Sequence, residues 1–288
     1  MKILISADTS CLINYEMLKK NNISSIPLNV IVDGTEYLDG VSINHEKLKT
    51  YMLDNKVIKT STPPPGVIID YFEKLFEKGY DKIIHFTISS KLSSMYNLFS
   101  NVANENFPGK VTVIDSYALS AMMLNNVLFA KEEAEKGTTV EDICSAVEER
   151  KHKGTVLFIP ENLTALKNGG RISPAIAAVG NVIGLKPVIT LTEGELVKVG
   201  MTTVVKKAFN DHIAKIKDNY PVDEYDYTLV SFDGKEAIFE AIYNTVKQID
   251  KNAAKGIVPI NVCAHCGPGT IGLIVSPKID GKRIDEFL

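Results

Sequence analysis

The sequence of 288 residues contains no tryptophan, four cysteines and only three arginines. Cysteines so few and so scattered exclude the disulfide framework of a small secreted protein, and we expect reduced thiols. A formal net charge of −3 without a clustered basic excess argues against a nucleic-acid partner. No apolar run, including the one in "MKILISADTS", is long enough for a secretory signal or a membrane span. These absences predict a cytoplasmic protein that does not insert stably into membranes.

Two of the cysteines, Cys263 and Cys266, stand in the motif "CAHC". A structural zinc site needs about four ligands, and the sequence lacks a second pair. We therefore expect neither a metal nor redox chemistry at this motif.

The stretch "CGPGTIG", residues 266 to 272, has the glycine spacing of the dinucleotide-binding fingerprint. That fingerprint joins a strand to a helix within a βαβ unit of about 30 residues, with an acidic residue about 20 residues further on. Too little sequence follows Gly267 to complete the unit, and Pro268 removes an amide donor from the loop. The spacing therefore does not predict a nucleotide cofactor, and we expect no cofactor.

Short β-rich runs alternate with amphipathic helical patterns along the chain. The runs are "KILISA", "KIIHFT", "VTVIDS" and "TVLFIP". Such alternation predicts an α/β fold with a largely parallel sheet covered by helices, and the length favours two domains. Glu193-Gly194 lies between two strand-like runs, which predicts a tight antiparallel hairpin and hence a mixed sheet in the second half. We predict domains at 1–153 and 154–288, with the boundary in the polar segment "RKHKG".

Small hydroxyl residues follow several predicted strands, where ligands bind in open α/β sheets. The loops are "SADTS", "TISSKLSS" and "IDSYALS", and "KTSTPPPG" enters a further helix. Hydroxyls and free amides at a helix N-terminus can bind a carboxylate or phosphate. The alternative is that each Ser or Thr only caps its helix.

Two further stretches carry candidate polar groups. Arg171 follows the Gly-Gly turn of "LKNGGRIS" and offers a planar fork of donors to an anion, although a structural ion pair is the alternative. His265 precedes the turn of "AHCGPGTIG" and is either a ligand contact or a structural histidine. After Arg171, a predicted helix beginning at Ser173-Pro174 carries small apolar residues, which indicates close packing or the wall of an apolar tunnel. An amphiphile with an acidic head suits this combination, because burial yields about 0.8 kcal/mol per methylene.

The motifs together resemble the DegV family of fatty-acid-binding proteins, which includes the binding subunit of bacterial fatty acid kinase. The resemblance covers nearly the whole chain, in the family's order. It rests on "KTSTPPPG" (a TSQPSPG-type loop), "TISSKLSSMY" (SSKLSGTY type), "VIDS", "LKNGGRIS" (LxKGGRIS) and "HCGPGTIG" (HxGPGxxG).

The resemblance implies two α/β domains that hold a long-chain fatty acid between them. Thr60 and Ser93 match the direct carboxylate partners, and Arg171 and His265 match supporting donors. The remaining positions implied for the site are the neighbouring hydroxyls Ser61 and Ser90 and the loop glycines Gly169, Gly170, Gly267 and Gly269. No catalytic residue is implied. A protein of this type presents the acid to a separate ATP-dependent kinase, receives acyl phosphate and passes it toward phospholipid synthesis.

The residues themselves agree with a non-catalytic role, because the sequence has neither a phosphate-binding G-x-x-x-x-G-K-[ST] loop nor a G-x-S-x-G motif. Two other functions remain open: an acyl hydrolase that uses Ser93 with His265, and a lipid carrier or sensor without a kinase. Pro64 and Ser94-Met95 depart from the family's motifs, and Thr202-Thr203 stands where the family often has an arginine associated with kinase docking.

Overall fold

A computed structural model of the protein describes residues 1–11, 15–172 and 184–287. The strands in chain order are β1 (Ile3–Asp8), β2 (Ser24–Ile26), β3 (Asn29–Val32), β4 (Thr35–Leu38), β5 (Ile58–Ser61), β6 (Lys82–Thr87), β7 (Val111–Asp115), β8 (Thr155–Ile159), β9 (Lys186–Thr192), β10 (Glu195–Thr202), β11 (Tyr225–Phe232), β12 (Ala254–Ile257) and β13 (Thr270–Pro277). The helices are α1 (Tyr15–Lys20), α2 (His45–Leu53), α3 (Pro65–Glu77), α4 (Met95–Asn106), α5 (Ser120–Glu135), α6 (Val140–Arg150), α7 (Thr164–Asn168), α8 (Val205–Ile216), α9 (Glu236–Ile249) and α10 (Ile260–Cys266), and a 3₁₀ turn covers Ile284–Phe287.

A parallel sheet of four strands forms the first layer of the fold, in the order β2-β1-β6-β7. Strands β1 and β6 are buried along almost their whole length, because helices cover both faces of a parallel sheet. Helix α3 buries Ile68, Phe72 and Leu75 on one face, as its sequence period predicts. The predicted alternation of strand and helix is therefore confirmed in this part of the chain.

A second, antiparallel sheet has the order β4-β3-β5 and was not predicted from the sequence. Its strands are short, and β4 has no buried residue. A two-residue turn at Asp33-Gly34, both with positive φ, joins β3 to β4. That Asp-Gly pair between β-type residues is the sequence signal that indicates the hairpin.

The third sheet has six strands in the order β10-β9-β8-β13-β11-β12 and is mixed. Strands β9 and β10 form the predicted antiparallel hairpin around Glu193 and Gly194. The predicted α/β class, with a parallel sheet first and a mixed sheet later, is confirmed. None of the described helices is long and apolar enough to cross a membrane. The helix predicted from Ser173-Pro174 lies outside the described residues.

Helix α5 joins the parallel and mixed sheets, because it packs against both β1 and β13 and is buried along most of its length. Arg150, at the end of α6, donates to the side-chain oxygen of Asn125 on α5 at 2.8 Å and to the carbonyl oxygen of Pro277 at 2.6 Å. Asn125 Nδ2 donates to the same carbonyl oxygen at 2.8 Å. The end of β13 is thus fixed to the helices of the first part of the chain.

Candidate functional site

A cavity of about 940 Å³, part of which opens to solvent, lies between strand β5, the loops that follow β1, β6 and β7, and the face of the six-stranded sheet. Most of its wall is apolar: Leu28 and Ile88 come from the first half of the chain, and Phe158, Leu191 and Ile274 from the second. The cavity therefore offers a ligand a long apolar surface.

Four residues of the implied site line this one cavity: Thr60, Ser93, Arg171 and His265. Thr60 is in β5, whereas His265 is in the last turn of α10, 205 residues later. The Thr60 hydroxyl and His265 Nε2 are 2.8 Å apart and share a hydrogen bond. Two motifs remote in sequence thus meet at one polar wall.

His265 is held in a confined and mostly buried position. A Cβ atom at Gly169 would lie 2.2 Å from His265 Nδ1, so only glycine leaves room for the ring there. Burial, with a further contribution from the positive charge of Arg171, lowers the pKa of His265 to about 4. The imidazole is therefore neutral near pH 7 and carries one N–H donor and one acceptor nitrogen.

Arg171 connects the two halves of the polar wall. Its Nε donates to the carbonyl oxygen of Leu92 at 3.1 Å, in the loop that carries Ser93, and its Nη1 donates to the carbonyl oxygen of Gly169. Burial lowers the pKa of this guanidinium from its ordinary value, although it remains a cation near pH 7. A half-buried permanent charge therefore lies beside the neutral His265.

The implied hydroxyls occupy different places. Ser93 lines the cavity, and its Oγ accepts from the backbone amide of Met95 at 3.3 Å. Ser61 and Ser90 are not among the residues that line the cavity. The Ser61 hydroxyl accepts from Asn29 Nδ2 at 3.4 Å, and the Ser90 amide donates to Asp115 Oδ1 at 3.0 Å.

The implied glycines shape the loops around the cavity. Gly267 and Gly269 have positive φ, and their amides donate to the carbonyl oxygens of Cys263 and Phe232. These two amides are consequently engaged with the backbone, and the turn ends α10 at Cys266, one residue after His265. The amide of Gly170 donates to the carbonyl oxygen of Lys167, so it too is engaged within the loop.

Four polar residues of the cavity wall were not selected as site residues from the sequence: Ser10, Ser120, Asn261 and Thr270. Ser10 and Ser120 lie in two of the hydroxyl-rich loops that the sequence analysis identified. Asn261 had no motif to indicate it, because it is a single polar residue in the apolar run "PINVCA".

The cysteines of "CAHC" are reduced and buried at the same helix. Cys263 Sγ donates to the carbonyl oxygen of Val258 at 3.2 Å, and burial raises its pKa well above the ordinary range. Within the described residues, no group of three or more His, Cys, Asp or Glu side chains is arranged to hold a metal ion.

Comparison with known proteins identifies the family. A family model described as an uncharacterised protein of the DegV family matches residues 2–278. The chain belongs to the DegV family. A DegV domain-containing protein of Staphylococcus aureus (strain N315) is 28% identical over 284 residues, which cover 96% of this chain and 99% of that protein. A second DegV domain-containing protein, from Mycoplasmopsis pulmonis, is 27% identical over 291 residues, covering 100% of this chain and 99% of the relative.

Solved structures of DegV proteins have the same fold. A DegV family protein from Thermus thermophilus, described by its fatty acid binding, matches with a TM-score of 0.85 and 26% identity over 96% of this chain and 100% of that chain. A stearic acid-binding protein from Eubacterium ventriosum matches with a TM-score of 0.85 and 27% identity over 96% of this chain and 99% of that chain. The cavity described above therefore lies in a fold whose solved examples include fatty-acid-binding proteins.

Proposed function

We propose that this DegV protein binds a long-chain fatty acid in the cavity, between an N-terminal domain of residues 1–153 and a C-terminal domain of residues 154–288. The carboxylate lies at Thr60, Ser93, Arg171 and His265, and the acyl chain extends along the apolar wall. One observation carries the proposal: a single cavity combines a polar wall made by these four residues with an otherwise largely apolar surface.

The charges at the polar wall suit a carboxylate. Arg171 supplies a positive charge that does not depend on pH in the physiological range, and the hydroxyls of Thr60 and Ser93 supply neutral donors. A buried carboxylate is tolerated when it is paired and hydrogen-bonded. If His265 Nε2 donates to the Thr60 oxygen, the Thr60 hydroxyl proton is free to point at the ligand.

The relatives with solved structures support the same ligand class. The proteins from Thermus thermophilus and Eubacterium ventriosum, described as fatty-acid-binding and stearic acid-binding, each match nearly the whole of this chain. For a long chain, burial of each methylene contributes about 0.8 kcal/mol, so the apolar wall supplies most of the affinity. The polar wall then determines the orientation of the bound ligand, with its carboxylate at this wall.

We propose that the protein is not itself a catalyst. In a hydrolase the histidine would activate Ser93, whereas here His265 Nε2 bonds to Thr60. A pKa of about 4 also makes His265 a weak base near pH 7. Both observations favour binding over acyl hydrolysis, and a chromogenic acyl ester should not be turned over.

We further propose that the bound acid is presented to a separate fatty acid kinase for acyl phosphate formation, as the family resemblance implies. Thr202-Thr203, at the end of β10, stands where an arginine associated with kinase docking is often found. Incubation with fatty acid, ATP and a candidate kinase should yield acyl phosphate if the partnership exists. Retained fatty acid without acyl phosphate would favour a carrier or sensor.

The first experiment is native and denaturing mass spectrometry of the purified protein, with organic extraction of any released ligand. We expect a long-chain fatty acid at one copy per chain. The variants Ser93→Ala and Thr60→Val should each weaken fatty-acid binding about tenfold, because each removes a donor from a buried carboxylate.

The matched control is Thr245→Val, because among the described residues the Thr245 hydroxyl bonds only to the carbonyl oxygen of Ala241 in its own helix. It should retain the affinity of the unmodified protein. A protein that carries no fatty acid and takes up none when it is added would refute the proposed function.

A further inference from the structure

A second polar cluster lines the cavity apart from the proposed carboxylate site. We call Ser10, Ser120 and Asn261 the Ser10 cluster. Asn261 Nδ2 donates to Ser10 Oγ at 2.8 Å, and the Ser120 amide donates to the Ser10 carbonyl oxygen at 2.6 Å. All three line the cavity, and each is at least 95% buried.

Two atoms of the Ser10 cluster have no hydrogen-bond partner among the described residues: Asn261 Oδ1 and Ser120 Oγ. Buried polar atoms in folded proteins are almost always hydrogen-bonded, and an exception in a ligand cavity requires a functional explanation. Thr270, another polar residue of the same wall, donates instead to the carbonyl oxygens of Cys266 and Gly267. Among the described residues that line the cavity, the one further unpaired side-chain atom is His265 Nδ1, which belongs to the proposed carboxylate site.

Negative charge is disfavoured beside the Ser10 cluster. Asp8 Oδ1 accepts from the Ser10 amide at 2.8 Å, and Asp39 accepts from the backbone amide of Asn261. Burial raises the pKa of Asp8 to about 6 and that of Asp39 to about 7, so both groups carry negative charge as the pH rises above neutrality. A second carboxylate or a phosphate would be repelled there, whereas a neutral polar group would not.

The position of the cluster relates it to the ligand. Asn261 precedes His265 by four residues on α10, which places the two side chains about one helical turn, or about 5.4 Å, apart on the same face. His265 belongs to the proposed carboxylate site. A ligand group that reaches Asn261 therefore lies within the first few carbons of the acyl chain.

On the basis of the proposed function, we propose that the cavity selects fatty acids that carry a hydroxyl group near the carboxylate, such as β-hydroxy acids. The hydroxyl donates to Asn261 Oδ1 and accepts from Ser120 Oγ, which satisfies both unpaired atoms. If the Asn261 amide is turned the other way, its NH₂ donates to the ligand oxygen instead. A hydroxyl fits either orientation because it both donates and accepts.

The test compares three ligands by calorimetric titration of the delipidated protein: palmitic acid, β-hydroxypalmitic acid and ω-hydroxypalmitic acid. The β-hydroxy acid should bind about tenfold more tightly than palmitic acid. The ω-hydroxy acid should show no such gain, because its hydroxyl lies at the far end of the chain. Asn261→Leu and Ser120→Ala should each bring the ratio of the β-hydroxy and palmitic dissociation constants close to one.

The matched control is Asn126→Leu. Asn126 is also a buried asparagine with an unpaired amide atom among the described residues, but it does not line the cavity. This variant should keep the tenfold ratio. If Asn261→Leu does not fold, Ser120→Ala and the ligand series on the unmodified protein still decide the outcome.

The outcomes separate the two proposals. Equal or weaker binding of the β-hydroxy acid, with palmitic acid bound, would overturn this inference and leave the proposed function standing. A preference that persists in both cluster variants would also overturn it, since the selectivity would then arise elsewhere. Failure to bind any of the three acids would refute the proposed function and this inference with it.

Discussion

The close approach of Gly169 to His265 leaves no room for a side chain at position 169. Gly169→Ala should displace the His265 ring from Thr60 and lower fatty-acid affinity by about tenfold, because the added methyl group would occupy the position of the ring. Calorimetric titration with palmitic acid measures the change.

The control for that substitution is Gly66→Ala. Gly66 lies in the first turn of α3, where a Cβ meets nothing within 4 Å, so this variant should keep its affinity and gain about 0.5–1 kcal/mol in stability. Unchanged affinity in Gly169→Ala would show that His265 can move without loss of binding.

His85 provides a prediction about acid stability. Its Nδ1 bonds to Ser6 at 2.8 Å, its ring stacks on Phe99 at 4.3 Å, and burial lowers its pKa to about 3. Because the pKa in the unfolded chain is about 6.5, the stability from neutral His85 is present above pH 6.5 and is lost as the pH falls toward 3.

His85→Phe keeps an aromatic ring at position 85, and this ring cannot be protonated. Below pH 6.5 its free energy of unfolding should fall less steeply than that of the unmodified protein, by up to about 1.4 kcal/mol per pH unit. Urea unfolding at several pH values measures the slopes. Above pH 7 the difference between the two proteins should be constant, and parallel curves down to pH 4 would contradict the prediction.

Sequence motifs indicated the residues whose neighbours in the chain are distinctive. Thr60, Ser93, Arg171 and His265 each stand in a motif, and the structure brings all four to one cavity. Asn261 could not be found this way. Its role depends on a contact with Ser10, 251 residues away, and no local pattern encodes such a contact.

The β9–β10 hairpin is the element that most directly joins the mixed sheet to the loops of the first half of the chain. The Ser89 hydroxyl donates to the carbonyl oxygen of Gly194 at 2.7 Å, and a Cβ at Gly194 would lie 2.4 Å from Ser89 Oγ. Leu191 and Leu196 of the same hairpin line the cavity. The fit of this turn against Ser89 therefore fixes part of the cavity wall.

Gly194→Ala should destabilise the protein by about 1–3 kcal/mol and speed fatty-acid release, because it combines backbone strain with a clash. Gly34→Ala is the matched control: Gly34 has a similar positive φ of 86° in the β3–β4 turn but no atom within 4 Å of an added Cβ. Gly34→Ala should therefore show only the loss of stability that backbone strain causes, without the effect of a clash. Equal effects of the two variants would mean that the hairpin contact does not matter.

The elements predicted from the sequence are those with a strong hydrophobic period. Strands β1, β6, β7 and β8 and helix α3 bury a face or a whole strand, so burial is visible in the residue pattern. The antiparallel sheet of β3, β4 and β5 was missed because its strands have only four residues each and β4 is mostly exposed. The position of β13 between β8 and β11 could likewise not be predicted from the local sequence, since strand order depends on tertiary packing.

At the level of the whole molecule, a ligand held between the two halves should stabilise the fold. A fatty acid at about 100 times its dissociation constant adds about 2.7 kcal/mol, which for a chain of this size corresponds to a rise in Tm of roughly 4–5 °C. Calorimetric scans of delipidated protein with and without palmitic acid measure it. Palmitic acid methyl ester, which lacks the carboxylate, should give a clearly smaller rise, and an equal rise would contradict the proposed role of the polar wall.

The cavity wall also has a consequence for synthesis of the chain. It combines Ser10, which follows β1, with Ile274 in β13, so the wall is complete only after β13 has left the ribosome. Domains fold in order of emergence, and exposed apolar surface in partly made chains promotes aggregation. A nascent chain that stops before β13 therefore presents an open apolar half-cavity, and this protein should depend on chaperones during translation more than after it.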